Sequence, residues 1–273
     1  MTMLTRTDTG IRTIMPIKHA PGPDSPGHAQ PTHSPSSTVP GRDLRLTITE
    51  LMRVLQFGDS VVPVGAFSFS NGLESAIQLQ FVRDLETLRQ FVMTATRQSA
   101  SSDAIALLAA HRAARAHDLR DALRADTALF NRKINEEMRT MSVRMGKKLA
   151  ELSSHLNRTP LVTNWLGHIE RKETPGTYPV CLGLLFAELN LPEHDAFAAH
   201  QYGTASMIVS ASLRLMKIHH LDAQSILFEV NATAEAEYAR VSGATLDDMA
   251  TFSPSLDVMA AAHVKAHVRM FMN

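Results

Sequence analysis

Apolar side chains recur at intervals of three and four over residues 134–156, a period that only a helix places on one face. The charged side chains Arg139, Arg144 and Lys147 fall elsewhere around that helix. Pro160 bounds the segment, because proline is excluded from a helix interior. The spacing predicts the longest helix of the chain, with about six turns and an apolar stripe of Ile134, Met138, Met141, Met145, Leu149, Leu152 and Leu156.

Helical signals continue through the rest of residues 44–273. Asp84 is an N-cap residue type, and Tyr178-Pro179 predicts a helix start that runs through Leu191. Small side chains over residues 193–217 let neighbouring helices approach closely, so this helix is expected at the centre. Alternating strand patterns are absent. We predict an all-α fold, a single irregular bundle of roughly ten helices. Further apolar faces are Leu85, Leu88, Val92 and Ala95, and Ile105, Leu108 and Ala109.

The first 43 residues differ from the bundle in composition. They hold seven of the thirteen prolines and no Phe, Trp or Tyr. Such a segment buries too little apolar surface to offset its ordering entropy, so a disordered tail over residues 1–43 is expected before a single domain over residues 44–273.

Charge and cysteine content narrow the function classes. The formal net charge is zero, from 27 Lys plus Arg and 27 Asp plus Glu, which argues against nucleic acid or an anionic membrane as the main partner. No apolar run reaches the length of about 18 residues that a membrane span needs. The lone Cys181 excludes an internal disulfide and is expected to be a small buried hydrophobic residue. A cytoplasmic protein is the expectation.

Residues 54–74 combine a turn with an unusual density of apolar side chains. Pro63 interrupts a helix and Gly65 relaxes the backbone behind it. Ser68, Ser70 and Asn71 are N-cap residue types, with Glu74 as a capping carboxylate. A turn this apolar is buried either by its own fold or by a partner; its apolar residues are Val61, Val62, Val64, Phe67 and Phe69.

Catalytic and metal-binding patterns are weak. Gly146-Lys147 lies inside the predicted long helix, with Met141 where a phosphate-binding loop has its first glycine. Ser68 lacks the flanking glycines of a hydrolase nucleophile. His263 and His267 share a helix face at a spacing of four, and His219-His220 are adjacent. Without a nearby third ligand, surface histidines are favoured over a metal site in both places.

Taken together, these segments resemble the urease accessory protein F family. The matching residues of the first motif, Asp-Ser-x-x-Pro-x-Gly-x-Phe-Ser-x-Ser-x-Gly-Leu-Glu, are Asp59, Ser60, Pro63, Gly65, Phe67, Ser68, Ser70, Gly72, Leu73 and Glu74. Later matches are Arg139, Ser142, Gly146, Tyr178, Pro179, Gly183, Ser210, Arg214, Gln224, Pro254, Leu256, Asp257, His263, Arg269 and Phe271. Thr177 departs from the histidine usual before Tyr178, and Val264 from the glutamate usual after His263.

The resemblance implies an all-α, non-enzymatic chaperone without a cofactor, acting in nickel insertion into apo-urease. It implies association with the D-type (also called H-type) accessory protein, recruitment and regulation of the G-type GTPase, and a homodimer within the complex. Under this interpretation Pro63, Gly65 and the two phenylalanines pack within the bundle, and Ser68, Ser70 and Glu74 serve as turn and cap residues. The alternative is a metallochaperone that holds nickel directly through His219, His220, His263 or His267.

Overall fold

A computed structural model describes residues 46–59, 61–250, 253, 270 and 271, and this part of the chain contains helices and turns but no β-strand. Nine of its α-helices have eleven residues or more and two are shorter. The helices are α1 (Ile48–Gly58), α2 (Leu73–Gln78), α3 (Leu85–Ser99), α4 (Ile105–Arg115), α5 (Leu119–Arg132), α6 (Glu136–Leu156), α7 (Pro160–Glu170), α8 (Tyr178–Glu188), α9 (Glu193–Leu215), α10 (His220–Asn231) and α11 (Ala234–Val241). The predicted all-α fold and helix number are confirmed. The predicted tail lies outside the described residues.

Helix starts follow their local capping chemistry. The side chain of Asp84 accepts a hydrogen bond from the backbone N–H of Thr87, which confirms the predicted cap of α3. Pro160 and Pro179 occupy the first turns of α7 and α8, where a missing N–H leaves no helical bond unmade.

Two predicted helix boundaries were wrong. Asn135 caps α6 by accepting hydrogen bonds from the N–H groups of Glu137 and Met138. Ile134 therefore precedes the helix and is 67% exposed. At the other site α8 stops at Glu188, because Asn190 takes a left-handed conformation with φ of 58°.

Helix α9 is the centre of the bundle, as predicted. It packs against α1, α2, α3, α4, α8, α10 and α11. Its 23 residues also exceed the 21 of α6, so the expectation that α6 is the longest helix was wrong.

Two clusters of buried apolar side chains meet along α9. The N-terminal half of α9 contributes Phe197 to a cluster formed largely by α4, α5, α6 and α8. The C-terminal half contributes Ile208 and Val209 to a second cluster, formed with α2, α3 and α10. Burying each such side chain stabilises the fold by about 1.5–3 kcal/mol. Helix α9 thus joins the two halves of the core.

Cys181 is buried on α8, as expected. The indole Nε1–H of Trp165 donates to Cys181 Sγ at 3.1 Å, and burial raises the pKa of the thiol. Both features are typical of a structural cysteine.

None of the helices in the described part of the chain is long and apolar enough to cross a membrane.

Candidate functional site

The turn between α1 and α2 is partly buried and partly exposed. Gly65 has a φ of 86°, a conformation that side chains disfavour, and it leads into a short 3₁₀ helix, Ala66–Ser68. Phe69 is buried, whereas Phe67 is 69% exposed and Val61 is 80% exposed. The expectation that Pro63, Gly65 and both phenylalanines pack inside the bundle is therefore confirmed for Phe69 and wrong for Pro63, Gly65 and Phe67, which are exposed.

The N-cap position of α2 was predicted wrongly. It is Gly72, with a φ of 84°, which has no side chain to cap the helix. The hydroxyl of Ser70 accepts a long hydrogen bond of 3.4 Å from the N–H of Glu74, and Ser68 lies in the 3₁₀ helix. The chain reaches α2 through a left-handed glycine, and the Glu74 carboxylate makes a contact with residues far along the chain.

That contact is with the end of the chain. Glu74 is only 4% exposed, and its Oε1 and Oε2 accept hydrogen bonds from the N–H groups of Met270 and Phe271 at 2.8 and 3.0 Å. The Phe271 side chain is buried in the core cluster that also contains Leu73 of α2. Glu74 therefore anchors residues 270 and 271 to the start of α2.

Arg214 of α9 joins the turn to the same C-terminal residue. Its guanidinium carbon lies 3.9 Å from the ring centroid of Phe67 and 4.1 Å from that of Phe271. Its Nη2 donates to the backbone oxygen of Phe67 at 3.1 Å. Burial between the rings lowers the pKa of Arg214 from its usual value. The guanidinium is thus stacked between two aromatic residues from opposite ends of the described chain.

Gly146 permits a close approach between α6 and the segment before α8. A Cβ at this position would lie 2.0 Å from the carbonyl oxygen of Gly176, so no other residue fits there without a backbone shift. The hydroxyl of Ser142, one turn earlier, accepts from the N–H of Tyr178. Gly183 of α8 similarly faces the carbonyl oxygen of Leu107, which its added Cβ would approach to 2.4 Å.

A buried carboxylate that the sequence analysis missed orients this segment. Asp126 of α5 accepts hydrogen bonds from the hydroxyl of Thr174, the N–H of Gly176, and both the N–H and the hydroxyl of Thr177. Burial raises the pKa of Asp126, and the four donors oppose that rise. An acidic residue on a fully buried helix face was the available signal. Thr177 thus donates two hydrogen bonds to the carboxylate of Asp126.

Motif residues from separate segments line one cavity of about 390 Å³. Its walls come from the α1–α2 turn, α3, α6, the start of α8 and one face of α9. The matched family residues among its lining are Asp59, Phe67, Ser142, Tyr178, Pro179, Ser210 and Arg214. The structure thus brings together residues that span positions 59 to 214, although their spacing in the chain gives no sign of it.

The floor of the cavity is polar and was not predicted. A π-helical segment, Ala100–Ala104, joins α3 to α4 and carries Ser102 and Asp103. Asp103 Oδ1 lies 2.6 Å from Nζ of the buried Lys133. His200 completes the floor, and burial lowers its pKa to about 4, so its imidazole is neutral at pH 7. The residues of this floor lie 30 to 100 positions apart in the sequence, so no local sequence motif predicts it.

Other candidate residues lie away from the cavity. Gln224 is exposed on α10. The His219 and His220 rings lie 4.2 Å apart, closer than expected for adjacent helical residues, because His219 is the N-cap of α10 and precedes the helix. Within the described ranges, no three His, Cys, Asp or Glu side chains are grouped to hold a metal ion. Ser60, Pro254, Leu256, Asp257, His263, His267 and Arg269 fall outside the described residues.

Known proteins are similar to this chain over most of its length. A family model described as UreF matches residues 82–231. The urease accessory protein UreF 2 of Brucella canis is 56% identical over 224 residues, which cover 82% of this chain and 92% of that protein. The urease accessory protein UreF of Yersinia enterocolitica is 49% identical over 228 residues, which cover 84% of this chain and all of that protein.

Proposed function

Because this chain belongs to the UreF family of urease accessory proteins, we propose that it acts in urease maturation as a non-enzymatic adaptor that promotes nickel insertion into apo-urease. In this proposal it binds the D/H-type accessory protein, recruits and regulates the G-type GTPase, and forms a homodimer within the complex. Its expected location is the cytoplasm.

The observation that carries the adaptor proposal is the apolar surface of α1 and the turn behind it. Helix α1 presents apolar side chains at positions 48, 51, 52 and 55, and the turn adds two more. Contiguous exposed apolar surface of this kind is typical of protein-binding sites. We define the adaptor surface as Ile48, Leu51, Met52, Leu55, Val61 and Phe67, which are between 48% and 82% exposed.

The anchoring of this surface supports a binding role. Phe67 rests on Arg214, which in turn contacts the buried Phe271. An aromatic side chain held in place before binding loses little conformational entropy when a partner covers it. Phe67 is therefore the residue of the adaptor surface that we expect to contribute most to binding.

We assign GTP hydrolysis to the G-type partner. Gly146-Lys147 lies inside α6, where the backbone N–H groups are used in helical hydrogen bonds and cannot cradle a phosphate. Gly146 has instead a packing role against Gly176.

The alternative is a metallochaperone that binds nickel through its own histidines. His219 uses Nδ1 to accept a hydrogen bond from the N–H of Leu221, so only Nε2 would be free for a metal. Calorimetry with Ni²⁺ on the purified chain separates the two proposals, since the alternative requires tight stoichiometric binding. Substituting His219, His220, His263 and His267 together should then abolish the heat of Ni²⁺ binding.

The proposed role is tested in a urease-producing cell that lacks its own protein of this family. Without the chain, urease should fold but contain little nickel by elemental analysis; with the chain, nickel content and activity should return. Full nickel loading in the deletion strain would contradict the role.

The adaptor surface is tested by co-expression with the D/H- and G-type proteins and size measurement with and without GTP and Ni²⁺. Phe67→Ser and Val61→Asp should prevent assembly while leaving the fold intact, because both side chains are exposed. Phe228→Ser, an equally exposed position on α10 (79%), is the matched control and should assemble normally. Assembly of the Phe67 and Val61 variants at the native ratio would refute this surface.

A further inference from the structure

The lining of the cavity beneath the α1–α2 turn contains buried polar atoms that make no hydrogen bond to the described residues. Ser102 Oγ and His200 Nδ1 have no hydrogen-bond partner among the described residues, although the two residues are only 2% and 4% exposed. Two further atoms of its lining, Gln98 Oε1 and Arg214 Nε, are likewise buried without a partner there. Leaving such an atom buried and unpaired is unfavourable, so four of them in the lining of one cavity require an explanation.

The backbone around this cluster is also unusual. Ser102 belongs to the π-helical segment Ala100–Ala104, and π-helical turns within helices occur frequently at functional sites. The segment directs Asp103 towards Lys133, which places an ion pair at the cavity floor. This geometry is independent of the unpaired atoms and marks the same place.

The charges at the floor cancel. Asp103 is paired with Lys133, and His200, Ser102 and Gln98 are neutral at pH 7. A charged head group at this floor would lose its hydration without gaining an unpaired counter-charge, because the other charged residues of the lining, Asp59, Arg132 and Arg214, are not part of the floor. The floor therefore favours an uncharged ligand that both donates and accepts hydrogen bonds.

The walls favour an apolar body on that ligand. Four methionines line the cavity, and their flexible thioethers adapt to flat apolar groups and contact aromatic rings favourably. The volume of about 390 Å³ falls in the range of small-molecule sites, about 300–1,000 Å³. The four are Met138, Met141, Met145 and Met207.

We propose that this cavity binds a small uncharged amphipathic molecule, with its hydrogen-bonding head at Ser102, Gln98 and His200 and its apolar body against the methionines. A primary aromatic amide has this chemistry, because its NH₂ donates to Gln98 and its carbonyl accepts from Ser102. The site goes beyond the adaptor role: binding is a property of the isolated chain, whereas assembly requires the partners.

Benzamide is the probe, added to the full chain carrying ¹³C-methyl methionine and followed by NMR. The expected result is saturable shifts of the four cavity methyl groups at millimolar benzamide, with Met93 and Met249 unaffected. Benzoate carries a charge and toluene lacks the amide, so each should bind at least about tenfold more weakly than benzamide. Ser102→Ala should weaken benzamide binding several-fold.

Gly203→Leu should block the cavity without a steric clash. Gly203 lines the cavity on α9, and a Cβ added there meets no atom within 4 Å. This variant should fold normally and lose benzamide binding, while Gly243→Leu, which also has open space and lies outside the cavity, should retain it.

Three results would overturn the proposal. Cavity methyl groups that do not shift at saturating probe would mean that water alone satisfies the floor. Equal binding of benzoate would mean that the head group does not lie at the neutral floor, and normal binding by Gly203→Leu would mean that the probe binds outside the cavity. Cavity shifts produced only by the D/H-type protein would identify a partner side chain as the occupant. None of these results affects complex assembly, so a failure here is distinguishable from a failure of the adaptor role.

Discussion

The carboxylate of Glu74 accepts a 3.0 Å hydrogen bond from the backbone N–H of Phe271, a residue 197 positions further along the chain. The neighbouring N–H of Met270 is bound by the other carboxylate oxygen at 2.8 Å. This pair joins the start of α2 to the C-terminal residues, and it places the Phe271 ring against Arg214. The α1–α2 turn, α9 and the C-terminal residues thus form one connected structure beside the cavity.

Glu74→Gln should loosen the C-terminal residues. An amide offers one acceptor where the carboxylate offers two, and its NH₂ would face an N–H donor. We expect hydrogen-exchange protection at Met270 and Phe271 to fall by about 1–3 kcal/mol, while α4 and α8 keep theirs. Glu229→Gln, on the exposed face of α10, is the control and should change neither. Unchanged protection at Phe271 would show that the two hydrogen bonds do not anchor it.

Arg214 and Phe271 should be energetically coupled. A double-mutant cycle with Arg214→Met and Phe271→Leu, measured by chemical denaturation, should give a coupling of about 0.5–2 kcal/mol, since the partly buried guanidinium lies over the ring. The pair Arg139 and Phe130, at 5.5 Å, is the comparison and should couple more weakly. Equal coupling in the two cycles would contradict a special role for the Phe67–Arg214–Phe271 stack.

Gly146→Ala should destabilise the fold by about 3 kcal/mol, because its Cβ would lie 2.0 Å from the Gly176 carbonyl oxygen and force α6 away from α8. Gly203→Ala is the control in another helix: its Cβ meets nothing within 4 Å, and replacing a helical glycine should stabilise by about 0.5–1 kcal/mol. Denaturant midpoints measure both. A Gly146→Ala protein as stable as the parent would refute the close approach.

His200 should make stability fall with decreasing pH. Burial lowers its pKa from 6.5 to about 4 in the folded state, with the nearby charges of Asp103 and Lys133 acting in opposite directions. The unfolded chain therefore binds the proton first, and the contribution of His200 is complete above pH 6.5 and is lost as pH falls towards 4. The expected loss between pH 7 and pH 5 is about 2 kcal/mol.

The difference between the parent and His200→Gln isolates this contribution. His111 is also buried with a lowered pKa and remains in both proteins, so its contribution cancels. The variant should lose less stability than the parent over the same pH interval. Parallel pH profiles would show that His200 is not the titrating group.

Local chemistry in the sequence determined the helices. The apolar period over residues 134–156 predicted α6, Asp84 predicted the start of α3, and Pro179 predicted the start of α8. These signals act within one or two helical turns, so they predict helices without knowledge of the tertiary fold. Errors occurred where a cap moved the boundary, as Asn135 did for Ile134.

Long-range pairing was decided only by the tertiary structure. The sequence identified Glu74 as a capping residue, but a left-handed Gly72 begins α2 and the carboxylate binds Phe271 instead. Phe67 and Phe69 have the same local character, yet one is exposed on Arg214 and the other is buried.

The same division holds for the cavity. The sequence by itself established the family motifs and the all-α fold, since both depend on the spacing of residues that are close together in the chain. Only packing around α9 brought Ser102, Lys133 and His200 to one polar floor. Three residues from different segments share no periodicity, and they come together only because of how the helices cross.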